Sequence, residues 1–370
     1  MSKTLQTLYR IVKYANIAFF AGDLDHAYTI LVDALSLFRR LDNKKAIGIA
    51  SNNLGNTLLS VYREMKMIKK DEIDGLTIND AITQGISHFH TAIKLGEKAY
   101  DEFYEIQGWS PVCLNFMQHL ANRYFNRGMF LLIVKNDHND PKEIEKLGMR
   151  DLKIADDMDQ EIVAFGEDIG WGGSERVDIR FNVNILRIRG YNTLLGLGYD
   201  DNDNDWGVQE LIQDTLGIIK DEYRKSQKSN LFTKMSCSGR LQELEMQLMR
   251  YKLHHNDLET AAKIAVRLLV EDEYVFVEVI RQAVKVLIQY IETDDSNVEV
   301  QFRERMMPIL KEYLVNLEKI MIHNREVSIS ETRTTSSSFI PLKSTSIRLS
   351  DHTAFSGMGG SGIFVTMEDF

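Results

Sequence analysis

The sequence predicts an all-α protein: an irregular array of antiparallel helical hairpins followed by a disordered Ser/Thr-rich C-terminal tail. Three observations carry the prediction. Small residues recur at matching offsets in two consecutive stretches. The first holds Ala15–Ala18, Gly22-Asp23-Leu24, Ala27, Leu31 and Ala34, and the second opens Asn53-Leu54-Gly55-Asn56. Only four prolines occur in 370 residues, which favours long helices over many-turned β structure. Apolar residues return at i, i+3, i+4 and i+7 through most of the chain, the period of a helix with one buried face.

The elements follow in order. Leu5, Leu8, Val12, Ala15 and Phe19 share one face of a first helix. After a turn at Gly22-Asp23, a second helix carries Leu24, Ala27, Tyr28, Leu31, Ala34, Leu35 and Phe38, with Asp23 as its N-cap. A third helix spans about Lys44 to Lys66, with Ile47, Ala50, Leu54, Leu58 and Tyr62 on its face. Ala15 and Gly55 hold equivalent places in the first and third helices, and the extra spacing sits in the hinge Leu41–Lys45. An insertion near 67–78 precedes the next helix, which Thr77 and Asp80 start as a capping box. That helix restores the small–large–small spacing with Gly85, Phe89 and Ala92.

Ser110-Pro111 and Asp140-Pro141 each read as N-cap and first helical residue. The helix between them carries Leu120, Ala121, Tyr124, Met129 and Leu132, and the next carries Gly148, Leu152 and Ala155. A turn-rich break is expected at Gly166–Gly173, so residues 1–165 form the leading half of the array and 166–325 its divergent continuation. Within that continuation, long helices flank the acidic loop Asp200–Asp205 on both sides. A hairpin turn falls at Asn256-Asp257-Leu258, followed by Ala261, Ala265 and Leu268 on one face. Pro308 reads as a kink or boundary. Residues 326–370 lose helical period, are rich in Ser and Thr, and read as a disordered linker.

Composition limits function. Net charge is −10 with 44% hydrophobic residues, which argues against bulk binding to nucleic acid or anionic membrane. Two distant cysteines, Cys113 and Cys237, fit neither a disulfide framework nor a zinc site and suit a reducing compartment. The N-terminus lacks a signal-peptide pattern, and no apolar run reaches the length of a membrane span. A cytoplasmic location is expected, either of the chain alone or of the cytoplasmic portion of a membrane-associated protein.

Catalytic and cofactor motifs fail on spacing. Gly357, Gly359 and Gly362 match GxGxxG, but a Ser-rich stretch stands where the strand of a nucleotide site belongs. Asp201, Asp203 and Asp205 begin like a calcium loop, yet its sixth and twelfth positions hold Trp206 and Ile212. The close pairs His254-His255 and His88/His90 lack completing ligands. No enzyme activity, metal or cofactor is expected. The candidate binding residues are polar ones on the first helix of each hairpin: Lys13 and Asn16, then Asn53 and Asn56, then Arg123 and Arg127. Amide and cationic donors spaced this way can hold a peptide's backbone and carboxylates. The same asparagines can equally bond within the fold and stabilise the hairpins.

These residues resemble tetratricopeptide-repeat (TPR) proteins over about Leu5–Ala92. Gly22, Ala27, Leu31 and Ala34 match the second-helix signature of the repeat, and Leu54-Gly55 the first-helix pair. The likeness returns more loosely at Leu120–Ala155 and Met249–Leu268. It implies a TPR-like superhelix acting as a non-catalytic adaptor with a protein or peptide partner. Asn16 and Asn53 fall where chaperone-binding members place a carboxylate clamp, although Val12 stands where that clamp wants lysine. The run FFAGDLDHAYTILVDALSLFRRLDNKKAIGIASNNLGNTLLSVY also resembles a region of large protist signalling proteins. Those place a HAMP-type linker before the repeats and a von Willebrand factor A domain after them. That likeness implies an alternative role, as the regulatory middle segment of a membrane-associated receptor. An enzyme with an unrecognised helical active site is the remaining alternative.

Overall fold

In the computed structural model the described residues are 3–21, 23–73, 75–168, 173–199, 206–226, 231–270, 277–293, 303–317 and 319. The expectations for Gly22, the Asp200–Asp205 loop, the GxGxxG glycines and the 326–370 tail fall outside them. Among the described residues the fold is helical, with one two-stranded ribbon. Two compact units divide at Arg176/Val177.

In the first unit, α1 (Lys3–Ala21), α2 (Leu24–Arg40) and α3 (Lys44–Ile68) are followed by α4 (Ile78–Gln107), α5 (Pro111–Val134) and α6 (Pro141–Asp168). Each helix packs on the next in sequence, and α1–α3 and α3–α5 also touch. That is the pattern of consecutive hairpins stacking. The starts are set by side chains. Asp23 accepts from His26 N (3.4 Å), Asn43 from Ala46 N (3.1 Å) and Ser110 from Cys113 N (3.2 Å). Thr77 and Asp80 close the expected capping box, with Asp80 N donating to Thr77 Oγ1 and Thr77 N to Asp80 Oδ2. Asp140 accepts from Glu143 N (3.1 Å) one residue before Pro141.

The insertion expected near 67–78 holds a small ribbon: α3 runs on to Ile68, and β1 (Glu72–Ile73) pairs antiparallel with β2 (Leu76–Thr77) around Gly75, whose φ is +79°. A glycine is well suited to that left-handed turn. Helix α6 passes through Gly166 and ends at Asp168, and residues 169–172 of the break expected at Gly166–Gly173 lie outside the described residues.

The small residues act as spacers. A Cβ on Gly55 would lie 2.6 Å from the Phe89 ring of α4, and one on Gly128 would lie 2.9 Å from the Gly148 carbonyl oxygen of α6. Phe89 in turn meets Phe130 edge-on, with ring centroids 5.4 Å apart. The middle of α3 and the body of α5 are enclosed all round: residues 51–62 and His119–Leu132 are all buried. Helices buried all round are normally apolar. Here the buried runs include Ser51, Asn52, Asn53, Asn56, Thr57, Asn122, Arg123, Asn126 and Arg127.

The second unit contains α7 (Gly173–Leu195) from Val177 onward, α8 (Val208–Ser226), α9 (Leu231–His254), α10 (Leu258–Val270) and α11 (Val277–Glu292). A helix over 303–317 follows. It continues through Pro308, so that proline is not a boundary. The expected turn at Asn256-Asp257 is present: Asn256 has φ +57°, Asp257 caps α10 through Thr260 N (3.2 Å), and Ala261, Ala265 and Leu268 are fully buried. This unit also encloses polar groups. Arg189 of α7 pairs with Glu243 of α9 (2.8 Å), and Asn192 donates to the Gln247 side chain (3.0 Å). No helix among the described residues is long and apolar enough to cross a membrane.

Candidate functional site

The asparagines of the first helices converge into one buried row. Asn126 Nδ2 of α5 donates to Asn52 Oδ1 of α3 (3.2 Å), and Asn52 Nδ2 donates to its neighbour Asn53 Oδ1 (3.4 Å). Asn53 Nδ2 donates in turn to Asn16 Oδ1 of α1 (3.1 Å). Three helices are thus tied by four amides. The stacking of hairpins dictates the arrangement, because equivalent positions of α1, α3 and α5 come side by side. Asn56, one turn beyond Asn53 on α3, is also fully buried. Asn52, Asn53, Asn56 and Asn126 have further partners besides these bonds. In the same region, Asn16 Nδ2 and Ser51 Oγ are among the buried polar atoms with no hydrogen-bond partner. Each such orphan costs about 1–3 kcal/mol. Lys13 stands half-buried on α1.

The two arginines of α5 do different things. Arg127 forms a fork with Asp151 of α6, Nε to Oδ2 at 2.6 Å and Nη2 to Oδ1 at 2.8 Å. Asp151 is fully buried and Arg127 nearly so. Burial pushes the Asp151 carboxyl above its usual range, opposed by the Arg127 contact. Tyr124 joins the group: its hydroxyl donates to Glu97 of α4, and its ring lies 5.6 Å from the Arg127 guanidinium carbon. Burial, reinforced by the Glu97 carboxylate, drives the Tyr124 phenol far above its ordinary value.

Arg123 turns instead toward α3 and α4. Its Nη1 donates to the Ala92 carbonyl (2.7 Å), while Nε is buried without a partner. Glycines make room for it: a Cβ on Gly48 or Gly96 would lie 3.2 or 2.6 Å from the guanidinium. Burial alone lowers its pKa to about 10. A small cavity opens beside it, lined also by Lys45, Leu95, Phe116, His119 and Leu120. Burial, and then the Arg123 charge, lower the Lys45 pKa. Among the described residues no cluster of three His, Cys, Asp or Glu has the form of a metal site.

No family model matches this chain. No curated protein matches it either.

Of the six candidate residues, the structure therefore joins Asn16 to Asn53 and keeps Asn56 on the same helix one turn on. It sends Arg123 and Arg127 to separate partners. The sequence reading left out Asn52 and Asn126, which link α3 to α5. The adjacent pair Asn52-Asn53 is visible in the sequence, but helical period puts only one of them on the expected face. Asp151, Lys45 and His119 gave no signal, because pairing across 24 residues or more depends on how the hairpins stack.

Proposed function

We propose that this chain is a non-catalytic protein-interaction scaffold of TPR-like hairpins that takes an extended peptide along the asparagine row of α1, α3 and α5. The observation that carries the reading is the row itself, with the Asn16 Nδ2 donor and the Ser51 hydroxyl left unpartnered in it. A peptide backbone presents alternating C=O and N–H groups. Primary amides match both, since each offers two donors and one double acceptor. A backbone carbonyl reaching Asn16 Nδ2 removes a desolvation cost that the unliganded fold carries. The row is buried and its other amides already have partners, so a peptide must displace what covers it and compete with those contacts, and its affinity is modest. Lys13 shares α1 with Asn16 and is the cation that would favour an acidic sequence, whereas Arg127 is paired with Asp151 and Arg123 donates to the Ala92 carbonyl. The sequential hairpin packing supports the same reading, since stacked helical repeats bind through extended faces.

The test is selection of binders from a displayed random-peptide library, with counter-selection on Asn53→Ala/Asn56→Ala. Peptides enriched on the wild type should lose binding to the folded double variant, whose melting temperature is measured in parallel. Equal binding by both proteins removes the asparagine row from the site.

A further inference from the structure

The cavity beside Arg123 is a separate feature, and it does not depend on peptide recognition by the asparagines. It lies between the first turn of α3, the second half of α4, and α5, and encloses about 20 Å³. That exceeds the minimum for one water, and suits a single small headgroup held from a mouth where Lys45 and Phe116 are only half-buried. Its walls are mainly apolar, contributed by Leu95, Phe116 and Leu120, and the polar residues that line it are Arg123, Lys44, Lys45 and His119. Arg123 is 5% exposed, and its Nε has no partner. Its neighbour Lys45 lies with Nζ 5.7 Å from the Phe116 ring centroid.

The charge balance of this corner is unusual. A buried guanidinium is normally matched by a carboxylate, as Arg127 is by Asp151. Among the described residues Arg123 has no acidic partner, and its one hydrogen bond goes to a backbone carbonyl. Two further cations, Lys44 and Lys45, line the same space. The N-terminal end of α3, with its partial positive charge, adds to the field. The fold also gives up two side chains for the arrangement, since Gly48 and Gly96 both sit inside helices where glycine is unfavourable. A merely structural cation would be easier to hold beside an aspartate or glutamate.

We propose that the cavity formed by Arg123, Lys45 and His119 is a binding site for one carboxylate group. The carboxylate accepts from the Arg123 guanidinium at its inner end, Lys45 closes over it at the mouth, and the apolar walls take the first carbons of the ligand. Charge-assisted hydrogen bonds of this kind are the strong ones in a low-dielectric site. The carboxylate comes from a small organic acid or from an acidic side chain of a peptide, and the experiment separates these.

The experiment measures the thermal unfolding midpoint of the full chain with added propionate, with a blocked Gly-Asp-Gly tripeptide, and with its Gly-Asn-Gly counterpart. Chloride at equal ionic strength is the reference. Protection by propionate or by the aspartyl peptide, with none by the asparaginyl peptide, is the expected result. Protection by both sources or by either one supports the site and identifies its ligand. Lys45→Gln should weaken the effect about tenfold, and Arg123→Met should abolish it. If Arg123→Met does not fold, Arg123→Lys with Lys45→Gln gives the same reading, with binding much reduced. Protection by chloride equal to that by the carboxylates overturns the assignment. So does absence of protection by either carboxylate, or protection that survives both Lys45→Gln and the Arg123 substitutions.

Discussion

Replacing Arg127 by methionine tests how the third hairpin is fastened. Two short hydrogen bonds, 2.6 and 2.8 Å, join its guanidinium to an Asp151 carboxylate that is fully buried. Methionine keeps most of the side-chain volume but leaves that carboxylate without its cation, inside a region that also holds Glu97. Breaking one side of a buried pair costs about 3–5 kcal/mol. At about 1.4 kcal/mol per decade, this corresponds to a loss of between about a hundred and several thousand fold in amide protection. Hydrogen exchange of peptides from α5 and α6 reads this directly, without requiring the two units to unfold together. Two further results follow. Arg127→Met/Asp151→Leu recovers much of the loss, because both charges leave together. In the single variant the cost shrinks as pH falls, since Asp151, already pushed upward by burial, escapes the penalty by taking up a proton. A loss below about 1 kcal/mol, or simple additivity in the double variant, would refute the reasoning.

The helix spacing at Gly128 predicts that Gly128→Ala is destabilising by about 1–3 kcal/mol despite alanine's better helix propensity. The new methyl would meet the Gly148 carbonyl oxygen at 2.9 Å, whereas Gly217 on α8 has nothing within 4 Å, so Gly217→Ala should be neutral or stabilising in urea unfolding. Equal effects at both sites would contradict the close approach. His88 gives the pH dependence. Burial first, then the Arg39 charge, lower its pKa from 6.5 to about 4. The unfolded chain therefore binds the proton first, and stability present above about pH 6.5 is lost as pH falls toward 4. The full shift corresponds to about 3 kcal/mol, and about 2 remains after allowing for the ring's partial exposure. His88→Gln should flatten the slope of unfolding free energy against pH over this window, and an unchanged slope would rule out His88 as its source.

Much of the fold was legible because local chemistry sets it. Asp23, Thr77 with Asp80, Ser110-Pro111, Asp140-Pro141 and Asp257 all cap helices where their side chains predict. Gly55, Gly85 and Gly148 mark close approaches as their spacing implies. The ribbon at Glu72–Thr77 was hidden because two-residue strands have no period to read. Pro308 does not end its helix, because a proline inside a helix removes one internal bond without breaking the rest.

The candidate site was legible by position and not by partnership. Asn16, Asn53 and Asn56 stand on the expected helices, and the structure shows them drawn inside. Which amide meets which depends on how α1, α3 and α5 lie side by side, which no local pattern of the sequence records. The different fates of Arg123 and Arg127 have the same origin. Four residues apart on α5, they face the glycines of α3 and α4 in one case and Asp151 of α6 in the other.

The most direct measurement of the central claim is a hydrogen-exchange footprint of a library-selected peptide on the full chain. Peptide recognition along the asparagine row predicts added protection in α1, α3 and α5 around Asn16, Ser51–Asn56 and Asn126, lost in Asn53→Ala/Asn56→Ala. Protection confined to other helices, or a footprint that the double variant leaves unchanged, would contradict it.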